Sequence, residues 1–512
     1  MSVPGQAALK VDATSRRMIT GAVMAATIMN SLDTTIANVA LPHIQGSVSA
    51  SQDQITWVLT SYIVAAAIMT PMTGWLAGRF GQRRVLMVSI FGFTVASGLC
   101  GIAQNLGEIV GFRLLQGVFG AALIPSSQAV LLDINPPERH GQAMSVWVMG
   151  AILGPILGPG LGGWLTDNLT WRWVFYINLP VGVLAFFGIS TFLHGEGQAR
   201  SVKLDFIGFA TLALAIGSLQ MMLDRGQQQD WFSSREIGVE AGLAALFFYL
   251  FLVQTFTAKQ PFINPRLFLD RNFLGCSIIG FVLGTVLFAV LSLLPPMLEN
   301  LMGYPVVTTG LVTMPRGIGT LISTFLVGRL VRKVDNRLLM AVGLFLSAAS
   351  LVMMSRMSLF MDERLVMISG FVQGLGTGLV FVPLSTMAFA TLDQRFRAEG
   401  TAMFTLIRNI GSAIGISALQ VVAIRNNEIV HSRLVEGLRP DNPAVANLPA
   451  PFSLSEVHGI AALNGEVTRQ AAMVSYVDAF WFLSILSFGA IFLLLLVRKP
   501  RRAVAPPQVH ME

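Results

Sequence analysis

Charge is what this sequence has least of. Asp, Glu, Lys and Arg together make up 12% of its 512 residues, against 54% hydrophobic residues. That excludes an ordinary soluble domain, in which about a quarter of residues are charged. Cysteine is nearly absent: Cys100 and Cys276 lie inside apolar runs, read as core residues, and form no zinc or disulfide pattern. The six histidines (His43, His140, His194, His431, His458 and His510) are scattered without ligand spacing, so no metal site is expected. No Gly-Lys dipeptide occurs, which removes a P-loop and with it a built-in ATPase. No cofactor is expected. The net charge of +7 does not imply nucleic acid, because the arginines cluster in short loops between apolar runs. The first apolar run is too long for the core of a cleavable leader and contains Asp33, so no such leader is expected.

What is abundant is apolar sequence. Runs of about 20 apolar residues, enough to cross a bilayer as helices, recur along the whole chain. Fourteen spans are expected, at 18–40, 55–77, 85–104, 108–132, 141–165, 174–193, 204–223, 237–257, 273–297, 307–331, 338–355, 365–390, 400–423 and 475–497. The chain reads as an all-α membrane protein of two six-helix bundles plus two extra helices. A terminal segment 1–17 precedes an N-terminal bundle 18–193, an inserted pair 194–260, a C-terminal bundle 261–497 and a tail 498–512. Basic residues mark the loops after even-numbered spans: Arg79, Arg83 and Arg84 after the second, Arg329, Arg332, Lys333 and Arg337 after the tenth. Arg498, Lys499, Arg501 and Arg502 follow the last. By the positive-inside rule both termini are expected in the cytoplasm. Segment 424–474, on the outer side, is polar and mixed in charge. It reads as a solvated linker or, alternatively, a docking surface.

The chain repeats itself. Gly74 to Arg83, closing the second span, is echoed by Gly328 to Arg337 at an offset of 254; Gln116-Gly117 is echoed by Gln373-Gly374 at 257. Duplicated parallel halves are typical of transporters with a substrate site near the midplane between them.

Asp33 carries the chemistry. It lies in Leu32-Asp33-Thr34-Thr35-Ile36-Ala37-Asn38-Val39-Ala40-Leu41-Pro42, at the end of an apolar run that starts near Met18. A carboxylate there is costly and is usually kept as a proton or ion relay. Arg113 lies within the first two turns of the fourth span, and Asp33 is its natural partner. Asn30, Thr34, Ala37 and Gln116 are expected to line a cavity beside them. In the fifth span, Gly154, Gly158 and Gly162, with Pro159 and Gly163, predict close helix approach and a surface for rocking. The repeated basic loop marks Gly74, Arg79, Gly81 and Arg83 as a gate. Arg316, Gln373, Arg408 and Asn409 place cationic and amide groups in the second half, where acids are few; Glu240 sits near a span end. Such a lining favours anionic or weakly acidic compounds over lipophilic cations.

These motifs together resemble the major facilitator superfamily, and in detail its EmrB/QacA family of fourteen-helix drug:proton antiporters. The resemblance runs from the first span to the last. It rests on Leu32-Asp33 through Pro42, on Arg113, Gln116 and Gly117, and on Gly154, Gly158, Pro159, Gly162 and Gly163. Trp171 to Pro180 and Leu223-Asp224-Arg225-Gly226 also fit it. One departure is Gly78, where the superfamily usually carries an Asp credited with a charge lock. The resemblance implies a proton-driven exporter of hydrophobic drugs, closer to the EmrB side with its weakly acidic substrates, in a bacterial inner membrane. In a Gram-negative host it implies a periplasmic adaptor and an outer-membrane channel as partners. The alternatives are a facilitator or importer of a small metabolite on the same fold, which the fifth-span signature opposes, and a membrane-embedded enzyme or channel. Neither clustered catalytic groups nor a continuous polar stripe supports the latter two.

Overall fold

The computed structural model describes residues 12–194, 203–331, 333–393, 396–439, 441, 442, 445, 452–454 and 456–498. Residues 1–11 and 499–512 of the expected terminal segments, Arg332, and much of 440–455 lie outside these residues. Among the described residues every regular element is a helix.

Each expected span has a helix in its place. In chain order these are α1 (Ala13–Val48), the pair α2 (Trp57–Met69) and α3 (Met72–Phe80), α4 (Gln82–Ile102), the pair α5 (Leu106–Gly120) and α6 (Leu123–Ile134), and α7 (His140–Asn168). Then come α8 (Asn178–Phe192), α9 (Phe206–Arg225), α10 (Arg235–Thr257), α11 (Arg271–Pro296), α12 (Val306–Leu330), α13 (Asn336–Met354), α14 (Glu363–Ala390), α15 (Arg397–Glu436) and α16 (Val457–Leu493). Twelve spans pass on length and hydropathy alone; α2 and α3, bent by 55° around Thr70-Pro71, make a thirteenth. Helix α1 falls short of that hydropathy because Asn30, Ser31, Asp33, Thr34 and Thr35 interrupt its apolar run. The one expected span that does not qualify is thus the one with the polar stripe. Side chains start several helices where the loops allow: Asn105 accepts from the Glu108 amide, Asp205 from Gly208, and Asp270 from Asn272 and Phe273.

The structure corrects the reading of 424–474 as a linker. Helix α15 continues to Glu436 and α16 already begins at Val457. At 1.5 Å per residue they are about 60 and 55 Å long, roughly twice the hydrocarbon thickness. They project beyond the bundle as a pair. Asn426 Nδ2 donates to Asp478 Oδ2 at 2.6 Å, and His431 Nε2 lies 3.2 Å from Asn464 Oδ1.

The halves meet at the end that carries the basic loops, and the contacts follow the repeat. Gly74 packs against the Glu399 backbone, and its counterpart Gly328 packs against Ser145. Residues 399 and 145 are themselves 254 positions apart, the same offset as 328 and 74. Gly141 against Val331 and the Asp133–Arg397 ion pair at 3.2 Å complete the closure. Gly317 against Ile156 extends it to mid-bundle. Towards the opposite end Thr34 and Asn38 are exposed.

Candidate functional site

Asp33 is sealed inside the N-terminal half. Its α1 position is 0% exposed, and its carboxylate oxygens are held by three side chains from two other helices. Arg113 Nη1, from α5, donates to Oδ2 at 2.6 Å. Gln116 Nε2, one turn further along α5, donates to Oδ1 at 2.8 Å, and Asn178 Nδ2, from α8, donates to the same oxygen at 3.0 Å. The spacing Arg113-x-x-Gln116 puts both donors on one face of the helix. Arg113 is itself 1% exposed. Its Nε donates to the Val58 carbonyl at 3.2 Å, its Nη1 also reaches Gln116 Oε1 at 2.8 Å, and its guanidinium lies 4.3 Å from the Tyr62 ring centroid. A buried ion pair offsets its desolvation only when further hydrogen bonds are met, and here Nε and Nη1 of Arg113 and both oxygens of Asp33 are engaged.

A further ring of groups holds these donors in place. Asn178 gives its second amide hydrogen to Ser97 Oγ at 3.0 Å, and Asn30 Nδ2 reaches Tyr62 Oη at 3.0 Å and the Gly120 carbonyl at 3.4 Å. Asn178 is the member that sequence reasoning missed. Its signal was a lone amide at the start of an apolar run, within the Trp171–Pro180 motif. Two expected cavity residues belong here instead: Asn30 and Gln116 are 5% and 0% exposed and turn into this network. Ala37 is fully buried against neighbouring helices because it points away from the opening. Thr34 and Asn409 do stand exposed.

The glycine face of α7 is what lets α1 sit so deep. A Cβ on Gly154 would enter the Ser31–Leu32 backbone, one on Gly158 would enter Thr35, and one on Gly162 would come 2.9 Å from Ile36. Gly163 meets nothing within 4 Å, so that position faces open space. Pro159 stands between them in the same helix. These glycines therefore press one helix of the N-terminal half onto another, rather than forming the seam between halves. Gly154→Val is expected to expel α1 and cost most of the folded yield, whereas Gly163→Val leaves it unchanged. Monodispersity in size-exclusion chromatography checks both.

At the basic end, Gly81 has a φ of +87° and ends α3, a backbone shape that favours glycine. Arg79 is exposed. Arg83 does not reach the other half: its Nη2 donates to the Ser190 carbonyl at 2.8 Å, tying the loop to α8. An ion pair that does span the seam is Asp133–Arg397, at the same end as Gly78. Reversing one charge, as in Arg397→Asp, is expected to loosen this end and slow transport several-fold. Adding Asp133→Arg restores it, and failure of the double variant to recover would count against the pair.

The second half repeats one of the donors, Gln116 as Gln373, but not the acid. Leu287 stands 254 positions after Asp33, and Arg316 the same distance after Tyr62. Arg316 Nη2 donates to the Leu287 carbonyl at 3.1 Å. Gln373, the counterpart of Gln116, is 1% exposed, and neither of its amide atoms has a hydrogen-bond partner among the described residues. Arg408 lies 5.4 Å from the Phe381 ring centroid, and that ring is 6.1 Å from Trp147 of the other half. Neither arginine meets a carboxylate among the described residues. No cluster of His, Cys, Asp or Glu fit to hold a metal occurs there either.

Comparison with known proteins agrees with this architecture. The sequence pattern of the Major Facilitator Superfamily matches residues 23–416. The chain is 35% identical over 493 residues to the multidrug export protein EmrB of Haemophilus influenzae, covering 94% of this chain and 96% of that protein. It is 34% identical over 483 residues to the fatty acid resistance protein FarB of Neisseria gonorrhoeae, covering 93% and 94%. The solved structure of the human organic anion transporter MFSD10 superposes with a TM-score of 0.61 at 14% identity, covering 94% of this chain and 99% of that one, a likeness of fold alone.

Proposed function

Because the chain belongs to the major facilitator superfamily, and within it to the EmrB-like multidrug export proteins, we propose that it expels hydrophobic compounds in exchange for protons. The single observation behind the coupling is Asp33, a carboxylate at 0% exposure whose only charged partner among the described residues is Arg113. While ionised, it gathers α1, α5 and α8 around itself. Protonation cancels its charge and leaves Arg113 uncompensated in a dry site. Breaking a buried pair costs about 3–5 kcal/mol. Shifting a two-state carrier from 1:99 to 99:1 takes about 5.5 kcal/mol. The two magnitudes are close, so one proton at Asp33 supplies most of the bias for a change of state.

In this reading the basic end faces the cytoplasm of a bacterium, the bilayer is the inner membrane, and the structure faces outwards. Arg316, Gln373 and Arg408 receive the acidic group of a substrate, since neither arginine meets a carboxylate and Gln373 has no hydrogen-bond partner among the described residues. A relative named for fatty acid resistance is in keeping with that. The projecting α15–α16 pair supports docking to a periplasmic adaptor and, through it, an outer-membrane channel. Neither a cofactor nor nucleic acid has a place in this cycle, and the proton gradient drives it.

The test is efflux from a pump-deficient host, comparing acidic with cationic hydrophobic compounds, with and without an uncoupler. Uncoupler-sensitive export of acids is expected. Resistance confined to lipophilic cations would overturn the assignment of the C-terminal arginines, and export that persists without a proton gradient would overturn the coupling.

A further inference from the structure

Asp224 is a membrane carboxylate that the Asp33 mechanism does not use. The sequence places it just past the seventh span, but α9 runs through it to Arg225. Its Oδ2 accepts from Thr60 Oγ1 of α2. Its neighbour Leu223 accepts, through its carbonyl, from Ser417 Oγ of α15 at 2.6 Å. Two adjacent residues of the inserted helix therefore hold one half each, at the end of the bundle opposite the basic loops. That is where the halves must part and meet during transport.

Among the described residues the carboxylate forms no direct ion pair. The adjacent Arg225 is turned away: its Nη1 pairs with Glu236 and lies 3.6 Å from Glu240, both on α10. Glu240 is 8% exposed, and its Oε2 has no hydrogen-bond partner among the described residues. The groups around Asp224 are thus Arg225 on its own helix and Glu236 and Glu240 from α10. Helix α2 offers Thr60, and α15 offers Ser417, both uncharged. Thr56, Leu59, Thr60, Arg225 and Gln228 line a cavity of about 120 Å³ with it. Asp224 is exposed to that space, while Asp33 is closed off behind three donors.

We propose that Asp224 is a second proton-binding site, loaded from the outer side, through which the inserted helix couples proton entry to closure of the outer mouth. It rests on the antiport reading above. Ionised, Asp224 accepts the Thr60 hydroxyl and fastens the inserted helix to the N-terminal half. Protonated, it loses most of that charge-assisted bond, and the clasp on α2 loosens while the Leu223–Ser417 link to α15 remains. No bond other than that to the proton is made or broken.

The test uses the full chain in proteoliposomes, with the membrane potential clamped to zero and a pH difference imposed. Each coupled proton multiplies the attainable substrate gradient about tenfold per pH unit. Asp224→Asn is expected to lower the steady-state gradient about tenfold at a difference of one unit, and Asp224→Glu to keep it. Thr60→Val retains the carboxylate but removes its donor. It should leave the gradient intact and move the midpoint of the outer pH profile upwards, a change that loss of packing alone would not produce. A wild-type gradient in Asp224→Asn, or an unmoved midpoint in Thr60→Val, overturns the proposal. A wild-type gradient indifferent to the imposed pH difference overturns the antiport reading itself.

Discussion

Asp33→Asn is expected to abolish proton-driven export, by at least about a hundredfold, and to trap the carrier in the state that protonation favours. All three groups on the carboxylate are donors, Arg113, Gln116 and Asn178. An amide offers one acceptor in place of two and turns its own hydrogens towards donors. More important, it removes the countercharge of a guanidinium that is 1% exposed. The cost is that of a broken buried pair, about 3–5 kcal/mol, and each 1.4 kcal/mol is a factor of ten. The substitution thus imitates a permanently protonated Asp33. Ser145 reports the state: it is 5% exposed and packed against Gly328 in the closed basic end. In a Ser145→Cys background, alkylation from the basic side should be slow in the parent and rapid once Asp33 is Asn. Equal labelling in both, together with intact gradient-driven transport, would remove Asp33 from the coupling role.

The second large effect is on stability. Arg113→Ala leaves the carboxylate alone in a dry site, removes the hold on the Val58 carbonyl and opens a cavity beside Tyr62. A loss of about 3–5 kcal/mol is expected for the uncompensated charge, seen as a marked fall in the thermal unfolding temperature in detergent. Asp33→Asn combined with Arg113→Gln removes both charges, and replacing both members of a buried pair is often close to neutral. The double variant is therefore expected to recover most of the stability and none of the proton coupling. If it proves as unstable as Arg113→Ala alone, packing rather than charge dominates at this site.

Much of this arrangement was legible in the residues themselves. Fourteen spans, the duplicated halves and the Asp33–Arg113 partnership follow from runs of apolar residues, an offset of 254, and the rarity of charge in those runs. The C-terminal arginines were found as cations without acids nearby. Other features were hidden because they depend on direction and distance. Gln116 and Asn30 are polar residues in apolar helices, and nothing in the sequence says whether such a residue faces a cavity or a buried carboxylate. Asn178 lies 145 residues from Asp33 and reaches it only once α8 packs beside α1. Arg83 looked like part of a gate in a repeated loop; its guanidinium ties that loop to α8, and Asp133–Arg397 is an ion pair across the seam that no motif announced. Segment 424–474 looked like a linker because hydropathy stops at the membrane surface, whereas helices α15 and α16 continue past it.

By itself, then, the sequence determined the membrane architecture, its duplication and the residue that bears the carboxylate. Apolar periodicity and the cost of a charge in hydrocarbon act locally and leave their mark in composition. Only the tertiary structure decided that Asp33 is caged by three donors and that the glycines of α7 press α1 into place. It alone showed that Arg316 and Arg408 meet no carboxylate among the described residues and that Asp224 and Leu223 fasten the inserted helix to one half each. Those relations arise from side chains far apart in the chain, and packing alone brings them within hydrogen-bonding distance.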